Sequence, residues 1–579
     1  MDVTRVSTSS SSNLSQRNLA LIYERRDSKL HNSSPSTQRS STPDKDVIHH
    51  VIGDFGIWQL RTILIIFLCK IPASWFMACI IFTAPELYPS TEFQCNPPIL
   101  KPNQTITSNQ CYIEDLTTGE REKCTNFLYD FDFHSLIMDF DLVCLRDIFV
   151  AWTQYWHLFG VLVGGVTATK MMMFISPRHV YFIGQIAQIV CGVITGYARD
   201  FSLHCAFRCL SAVCCAIMFT SGQAISTVQA SSYLADLTFG IHRSGAIILY
   251  DTFWSIGVIF LPSLSSFFNH WSHIYLGITF PTLILTFLLQ WTPDSPRWLL
   301  KNGSESEVER VELMIRKGAA INDREFKIPP DFREQLIALR NKLRSGPPPA
   351  KWSDLWRGPR AKIHMISAHL ALSAFVINFM GMLLNIRSFG RDYLVPNTIA
   401  MGFAEIAGCF IALHFQLKFN KWKWQWAGGF NILAGLIGCL GWLFSHAEMN
   451  SELKVTLWMI IATIPKAGVS CAQSMIMACM AEVMPPNKRI PYVFSVVTFA
   501  RVWLLSAPFI NVLKKIDVAL SLSSYCALSI FGGICTCLML TPRTPKPIAT
   551  LVEDKIKDQK EASPLTAAVW TVENDYIYI

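Results

Sequence analysis

Charged residues are scarce in this chain of 579 residues. Asp, Glu, Lys and Arg together make up 16% of it, whereas hydrophobic residues make up 51%. Soluble domains carry about a quarter charged residues, so the chain lacks the charge that a soluble protein of this size needs at its surface. The charges that exist are concentrated in four stretches, 1–54, 86–147, 294–362 and 543–575. The apolar remainder indicates an integral membrane protein in a lipid bilayer.

Signatures of common enzymes are also missing. No glycine-rich loop ends in Lys-Ser/Thr, so no ATP-driven pump is indicated, and neither His-Glu-x-x-His nor Gly-x-Ser-x-Gly occurs. The cysteines between 205 and 215 have no matching His/Cys frame elsewhere, so we expect no metal site and no cofactor. The net charge of +8 comes without a compact basic domain, which argues against nucleic acid as a partner. The sequence therefore predicts a membrane protein that is not an enzyme.

Apolar stretches long enough to span a bilayer, which takes about twenty residues, recur along the chain. Twelve such candidates are present, and together they predict an all-α membrane protein with twelve transmembrane helices: Trp58–Thr83, Ile148–Met171, Val180–Tyr197, Leu203–Ser226, Ser244–Phe267, Ile274–Trp291, Ile363–Leu384, Thr398–Phe415, Trp426–Phe444, Val455–Met477, Tyr492–Leu513 and Leu520–Leu540.

The charged stretches divide these spans six and six and suggest an orientation. We expect a disordered cytosolic tail at 1–50, an N-terminal half at 51–292, a central cytosolic loop at 293–362, a C-terminal half at 363–541 and a cytosolic tail at 542–579. Residues 294–362 contain fifteen Lys/Arg, whereas residues 86–147 contain four against eleven Asp/Glu. The positive-inside rule then places both termini and the central loop in the cytosol and the 84–147 loop outside. We expect the membrane to be the plasma membrane. Within the central loop, two amphipathic helices are predicted, Glu305–Lys317 and Asp331–Arg344.

The predicted outer loop has features of an oxidising compartment. It contains four of the eighteen cysteines, an even number that suggests two disulfides with three possible pairings: Cys95, Cys111, Cys124 and Cys144. Asn103 begins an Asn-x-Thr sequon and is a candidate glycosylation site, although such triplets also occur by chance. At the other end of the chain, Ile577-Tyr578-Ile579 could offer a terminal carboxylate to a scaffold domain, which three residues indicate only weakly.

Four motifs then occur in order: GDFGxxQ at 53–59, DLVC at 141–144, PDSPRWLL at 293–300 and AEVMPxxxR at 481–489. Together the motifs resemble solute carrier family 22, the organic cation, organic anion and carnitine transporters, over residues 51–547. The resemblance implies the major facilitator fold, two six-helix halves around a substrate site at the midplane. It also implies gating roles for motif residues: Arg297, Glu482 and Arg489.

Two cytosolic loops depart from the family pattern. The family's Gly-x-x-x-Asp-Arg-x-Gly-Arg-Arg motif corresponds here to 169–178, where Met173 occupies the acidic position and Arg178 is the remaining basic residue. In the equivalent loop after the eighth span, the acidic position is Lys418. The resemblance implies that such loops join the two halves through Asp–Arg contacts, so these contacts must here be weaker or built differently.

Ionisable residues near the middle of a span cost at least about 2.5–3.5 kcal/mol each on insertion scales. They should therefore face the bundle interior and find partners. Six residues qualify, four of them basic and two acidic: Lys70, Arg208, Asp251, Glu405, Lys466 and Arg501. The positive excess favours an anionic or carboxylate-bearing solute through Coulomb attraction.

Arg501 is the strongest candidate for substrate binding. The resembling family has Arg at this position in anion and carnitine carriers and an acid in many cation carriers, and a guanidinium can bind a carboxylate through two parallel hydrogen bonds. The alternative is a structural ion pair with Asp251 or Glu405. Lys70 has the same two interpretations, substrate binding or pairing with Asp251.

The other candidates divide into two groups. Aromatic residues could contact the organic body of a solute, although most aromatics simply pack in the core or against lipid: Tyr155, Trp156, Tyr250, Trp254, Phe375 and Phe379. Charged residues could serve gating or coupling, or be structural: Asp251, Glu405, Lys466 and Arg208.

The sequence thus supports two hypotheses. The first is a secondary transporter of small organic solutes, namely anions or zwitterions with a carboxylate, that works by alternating access. The second is a receptor or binding protein that keeps the transporter fold without transport, which the altered cytosolic loops motivate.

Overall fold

The computed structural model describes residues 47–97, 103–222, 240–346, 348, 350–389, 393–419, 422–445, 451–480, 483–484, 486–516 and 518–539. Its contacts divide the chain into two units, 1–50 and 51–579. In the first unit only residues 47–50 are described, and they begin a short helix, Val47–Ile52. The predicted C-terminal tail, its last tripeptide and Glu482 lie outside the described residues. The account below concerns the second unit.

The N-terminal half contains six long helical segments. They are α1 (Ile57–Thr83), α2 (Ile148–Met171), α3 (Pro177–Tyr197), α4 (Phe201–Gly222), α5 (Gly240–Ser265) and α6 (Trp271–Leu289). In space α2 packs on α4, α3 packs on α4 and α6, and α1 packs on α5.

The C-terminal half contains six more. They are α7 (Pro359–Leu384), α8 (Leu394–Lys418), α9 (Lys423–Ser445), α10 (Ser451–Cys479), α11 (Pro486–Leu504) and α12 (Val518–Cys537). Among the described residues, ten of the twelve segments are long and apolar enough to cross a membrane. The others, α2 and α9, have 24 and 23 residues. The predicted all-α membrane fold is therefore confirmed.

Proline interrupts two of these helices, because its ring removes a backbone donor and clashes with the carbonyl four residues earlier. In α1, Pro72 follows a break at Cys69, and the segment consists of three pieces, Ile57–Leu68, Lys70–Ala78 and Ile80–Thr83. After α11, Pro508 stands in the first turn of a separate short helix, Ala507–Val512. The break in α1 directly precedes Lys70 and so sets the position of this buried lysine.

Close helix contacts depend on small residues. Gly160 and Gly164 of α2 lie against α4, where a Cβ atom would overlap the backbone carbonyls of Cys209 and Val213. Lipid provides little hydrophobic drive for helix association, so such close approach, with its van der Waals contact, is what holds membrane helices together. The two halves meet where α5 packs on α8 and α10, and where α2 packs on α11.

The 84–147 loop forms two small antiparallel sheets. Strand β1 (Phe93–Cys95) pairs with β5 (Phe127–Tyr129), while β2 (Gln104–Ile106), β3 (Tyr112–Asp115) and β4 (Arg121–Lys123) form the second sheet in that order. Disulfides join Cys95 to Cys124 and Cys111 to Cys144, which selects one of the three possible pairings. Asn103, the predicted glycosylation site, is exposed.

We call the end of the bundle that carries residues 84–147 the loop face. There the loop docks on the connection between α5 and α6, since His134 pairs with His270 in a parallel β-bridge and a short helix, Leu136–Asp139, follows. Burial lowers the pKa of His270, and the nearby Asp139 carboxylate opposes this shift without reversing it.

The end that carries residues 293–358 is the linker face. Three helices form there, Pro296–Asn302, Ser306–Ile321 and Phe332–Arg344, and the last two correspond to the predicted amphipathic helices. Buried apolar side chains such as Val311 and Leu336 form their packed side. The linker between the halves is thus a folded part of the protein.

Candidate functional site

A cavity lies between the two halves in the middle of the bundle. Its volume is about 140 Å³, and both halves contribute to its wall. Side chains that carry charge, hydrogen-bonding groups or rings line it from α1, α4 and α5 on one side and from α7, α8, α10 and α11 on the other: Lys70, Phe219, Asp251, Trp254, Ser255, Phe379, Glu405, Cys409, Ser470, Gln473, Ser474 and Arg501. The resemblance predicted a substrate site between the two halves, and this cavity lies between them.

The first buried ion pair belongs to the N-terminal half. Lys70 Nζ of α1 lies 2.6 Å from Asp251 Oδ1 of α5, with the two side chains 5% and 18% exposed. The same ammonium lies 3.8 Å from the ring centroid of Tyr250, so Tyr250 contributes to the site by packing behind Lys70. Of the two interpretations of Lys70, the geometry shows the pair with Asp251.

The second pair belongs to the C-terminal half. Lys466 Nζ of α10 lies 2.8 Å from Glu405 Oε1 of α8, and both side chains are almost fully buried. Lys466 also donates to the carbonyl oxygen of Phe379 at 2.8 Å and lies 3.7 Å from the centroid of that ring. A buried ion pair needs such additional contacts, because its attraction must offset the desolvation of both ions.

A hydrogen bond connects this second pair to the other half. Ser255 of α5 donates to Glu405 Oε2 at 2.8 Å. Ser255 stands one helical turn after Asp251, so the same face of α5 carries both residues toward the cavity. Sequence reasoning missed Ser255, and its spacing from Asp251 is the signal that could have identified it.

Arg501 of α11 has different surroundings. Its guanidinium donates to Thr220 Oγ1 of α4 at 3.2 Å, a hydrogen bond between the two halves. Across the described part of the chain, no carboxylate lies within ion-pair distance of Arg501. The two acids near the cavity contact lysines instead, Asp251 with Lys70 and Glu405 with Lys466. The predicted alternative, a structural pair with either acid, is therefore absent. Among the described residues around the cavity, the formal charges of the two pairs cancel and Arg501 leaves an excess of one positive charge.

Gly165 of α2 creates the space for this arginine. A Cβ atom at residue 165 would overlap Nη1 of Arg501. Neither Gly165 nor Thr220 was identified from the sequence, because nothing in the local pattern distinguishes a glycine or threonine that faces a distant helix.

Two aromatic rings from opposite halves contact each other at the wall of the cavity. Trp254 of α5 and Phe379 of α7 have centroids 6.4 Å apart, one in each half. Phe375 lies one turn before Phe379 but is fully buried and does not line the cavity. Tyr155 and Trp156 do not line it either. Tyr155 packs against Phe509, and Trp156 is 42% exposed.

Arg208 lies away from the cavity, inside the N-terminal half. It is 1% exposed and donates to Gln154 Oε1 at 3.0 Å and to the hydroxyl of Tyr275. These neutral partners come from α2 and α6, and Arg208 also donates to Cys79 Sγ of α1 at 3.4 Å. Arg208 therefore connects four helices of one half.

At the linker face, Asp294 of the PDSPRWLL motif forms the centre of a polar cluster. Its Oδ2 lies 2.7 Å from Arg310 Nη2 and 3.7 Å from Arg178 Nη1, while Ser176 donates to Oδ1 at 3.2 Å. Arg178 is the basic residue that the altered loop retains. Its carboxylate partner here is Asp294, and this contact joins α3 to the linker and does not join the two halves.

The remaining motif arginines also lie near the linker face. Arg297 belongs to the short helix Pro296–Asn302. Arg489, in α11, donates to the Met484 carbonyl at 3.5 Å.

A second, larger cavity of about 420 Å³ lies at the loop face. Two ion pairs connect the halves beside it, Glu86 with Lys514 and Asp147 with Lys515. Arg387 of the C-terminal half also lines this cavity. These contacts hold the ends of α1 and α2 against the segment that follows α11.

The sequence matches the Major Facilitator Superfamily over residues 66–508. The chain belongs to this superfamily. The fold agrees, because the inward-open structure of the xylose transporter XylE from E. coli superposes with a TM-score of 0.56 at 13% identity, over 86% of this chain and 99% of that one. This chain is thus a member of a family of transporters, and it is not an enzyme.

Curated relatives confirm the resemblance to solute carrier family 22. The Drosophila melanogaster "Organic cation transporter protein" is 25% identical over 90% of this chain and 96% of its own length. Human "Solute carrier family 22 member 13" is 26% identical over 75% of this chain and 77% of its own length. "Organic anion transporter 3" of Sus scrofa is 22% identical over 76% of this chain and 77% of its own length. The names of these relatives include both cation and anion carriers.

Proposed function

We propose that this superfamily member transports small organic anions, or zwitterions that carry a carboxylate, by alternating access across the plasma membrane. The observation that carries this proposal is Arg501, a cavity-lining guanidinium whose partner among the described residues is the hydroxyl of Thr220. A guanidinium in a low-dielectric cavity attracts a carboxylate and repels an organic cation. The relatives include both cation and anion carriers. The positive charge of Arg501 in the cavity favours an anionic substrate over a cationic one.

The aromatic pair supports an organic body on the bound solute. Trp254 and Phe379 come from opposite halves and contact each other, so an apolar group that packs against this pair would contact both halves at once. The cavity of about 140 Å³ is smaller than the roughly 300–1,000 Å³ of pockets for drug-sized ligands. It suits a small solute, or a larger one after one face opens.

Coupling between the halves would use the charges around the cavity. Glu405 is bonded to Lys466 within its own half and to Ser255 in the other, so a movement between the halves must break or remake the Ser255 bond. The pairs Glu86–Lys514 and Asp147–Lys515 would have to separate when the loop face opens. Asp251, Glu405 and Lys466 are thus gating or coupling candidates. In this proposal both termini and the linker face lie in the cytosol.

Transport in proteoliposomes tests the proposal. Purified full-length protein is reconstituted, and uptake is measured for an aryl carboxylate and for an aryl trimethylammonium ion of similar size. We expect saturable uptake of the carboxylate and much weaker uptake of the cation. Preference for the cation would overturn the assignment of an anionic substrate. Saturable binding of the carboxylate without flux would instead support the receptor hypothesis.

A further inference from the structure

Two histidines and an aspartate meet at the loop face. None of the three lines either of the two cavities described above. His134 and Asp139 belong to the 84–147 loop, and His270 precedes α6. One nitrogen or oxygen atom from each residue lies within 4.8 Å of those of the others. His134 Nε2 contacts Asp139 Oδ1, and His270 Nε2 lies 3.8 Å from Asp139 Oδ2.

We propose that His134, Asp139 and His270 form a binding site for a divalent transition metal of the zinc type, which fastens the 84–147 loop to the start of α6. Two imidazoles and one carboxylate are a donor set that Zn²⁺ takes in proteins, with water in the fourth position. Ligand atoms around a tetrahedral zinc ion are about 3.4 Å apart, given bonds of about 2.0–2.2 Å. The separation of 3.8 Å between His270 and Asp139 is close to this value.

The backbone holds the two imidazoles side by side. His134 donates its N–H to the Asn269 carbonyl at 2.8 Å, and Trp271 donates to the His134 carbonyl at 3.0 Å. The two histidine rings stack with their centroids 4.7 Å apart. The site is therefore placed by main-chain pairing between loop and helix start, which brings one nitrogen of each ring within 4.8 Å of the other.

A buried tryptophan orients the carboxylate. Trp271 is 2% exposed, and its indole Nε1 donates to Asp139 Oδ2 at 2.5 Å. Groups behind the ligands that fix their orientation are a general feature of metal sites. Binding would change two existing contacts. The direct contact between His134 Nε2 and Asp139 Oδ1 would be replaced by bonds to the metal. In addition, Nδ1 of His270 accepts from the Ser272 N–H at 3.2 Å. Metal at Nε2 moves the proton to Nδ1, so this hydrogen bond is exchanged for the coordinate bonds.

The ligands are accessible from solvent. The side chains of His134, Asp139 and His270 are 44%, 31% and 35% exposed, so an ion can enter without unfolding the loop. His273 lies next to the site, with its ring centroid 5.4 Å from that of His270, and could replace the water ligand. Residues of the same loop segment, including Ile137 and Cys144, line the loop-face cavity. A bound metal would therefore stabilise one wall of that cavity.

Thermal unfolding of the tag-free, chelator-treated full-length protein tests the site, with ZnCl₂ as the probe. We expect Zn²⁺ to raise the unfolding midpoint of the wild type by several degrees and to bind with one equivalent per chain. This shift should disappear in His134→Gln, His270→Gln and Asp139→Asn. The control His414→Gln alters an exposed histidine of α8 and should keep it.

A spectroscopic measurement on the wild type tests the site without requiring any variant to fold. Co²⁺ added to the wild type should give the intense visible bands of a tetrahedral, imidazole-ligated ion, and Zn²⁺ should abolish them. The proposal is overturned if neither metal binds saturably, or if the His134→Gln/His270→Gln double variant keeps the full zinc shift.

Discussion

Arg208 and Arg501 are both arginines in the middle of membrane helices, yet the structure gives them different environments. Arg208 is enclosed within the N-terminal half and bonded to Gln154 and Tyr275. Arg501 lines the central cavity, and its hydrogen bond to Thr220 crosses to the other half. The cost of placing a charge in the membrane is similar for both. The comparison teaches that a charged residue in the middle of a span has a structural or a functional role. The position of that residue relative to the interface between the halves indicates which of the two roles it has.

Charge reversal at Arg501 should give the largest effect. Loss of a hydrogen bond to a charged group costs roughly 1.5–3 kcal/mol, and a glutamate would in addition repel a carboxylate. We expect Arg501→Glu to lower uptake of the aryl carboxylate at least about 100-fold, with surface expression unchanged. Arg501→Lys retains the charge without the two-pronged geometry and should lie between. Undiminished uptake by Arg501→Glu would remove this arginine from the site.

Substitution of Arg208 should change stability instead of affinity. Arg208→Met leaves the buried oxygens of Gln154 and Tyr275 without this donor, at a cost of roughly 1–3 kcal/mol for each unsatisfied group. We expect a lower thermal unfolding midpoint in detergent and an unchanged KM for the protein that remains folded. A raised KM at wild-type stability would contradict the contrast between the two arginines.

The smallest effect is expected at Gly165, which shapes the position of Arg501. In Gly165→Ala the new methyl group overlaps the guanidinium, which must move to a less favourable rotamer at a cost of roughly 0.5–1.5 kcal/mol. KM for the carboxylate should rise roughly two- to tenfold. Gly429→Ala is the matched control, because a Cβ there meets no atom within 4 Å. Equal effects of the two substitutions would argue that Gly165 acts on helix packing in general.

Sequence reasoning was most successful where local chemistry determines structure. The apolar runs identified all twelve long helices, and the charge pattern identified both amphipathic linker helices, because backbone hydrogen bonds in lipid can be satisfied within a helix. The interruptions were not foreseen. Pro72 lies inside an apolar run, and whether a proline kinks a helix or ends it depends on what packs around it.

The candidate site was predictable in its residue types and less so in its contacts. Lys70, Asp251, Trp254, Phe379, Glu405 and Arg501 were identified and line one cavity. Tyr155, Trp156 and Phe375 lie outside it, because a helix presents residues on all sides and the sequence of one chain does not show which side meets the other half. The roles of all these residues stay predictions until uptake is measured.

By itself, the sequence determined that this protein lies in a membrane, that it has two sets of six helices and that four of the six ionisable residues in its spans are basic. These follow from hydrophobicity and charge, which are properties of single residues and short runs. Only the tertiary structure decided which lysine engages which acid, which cysteines are joined, and that Arg501 is the cavity arginine with a hydroxyl as its partner. Such pairings join residues as far apart as Thr220 and Arg501, and they are set by how helices pack in three dimensions.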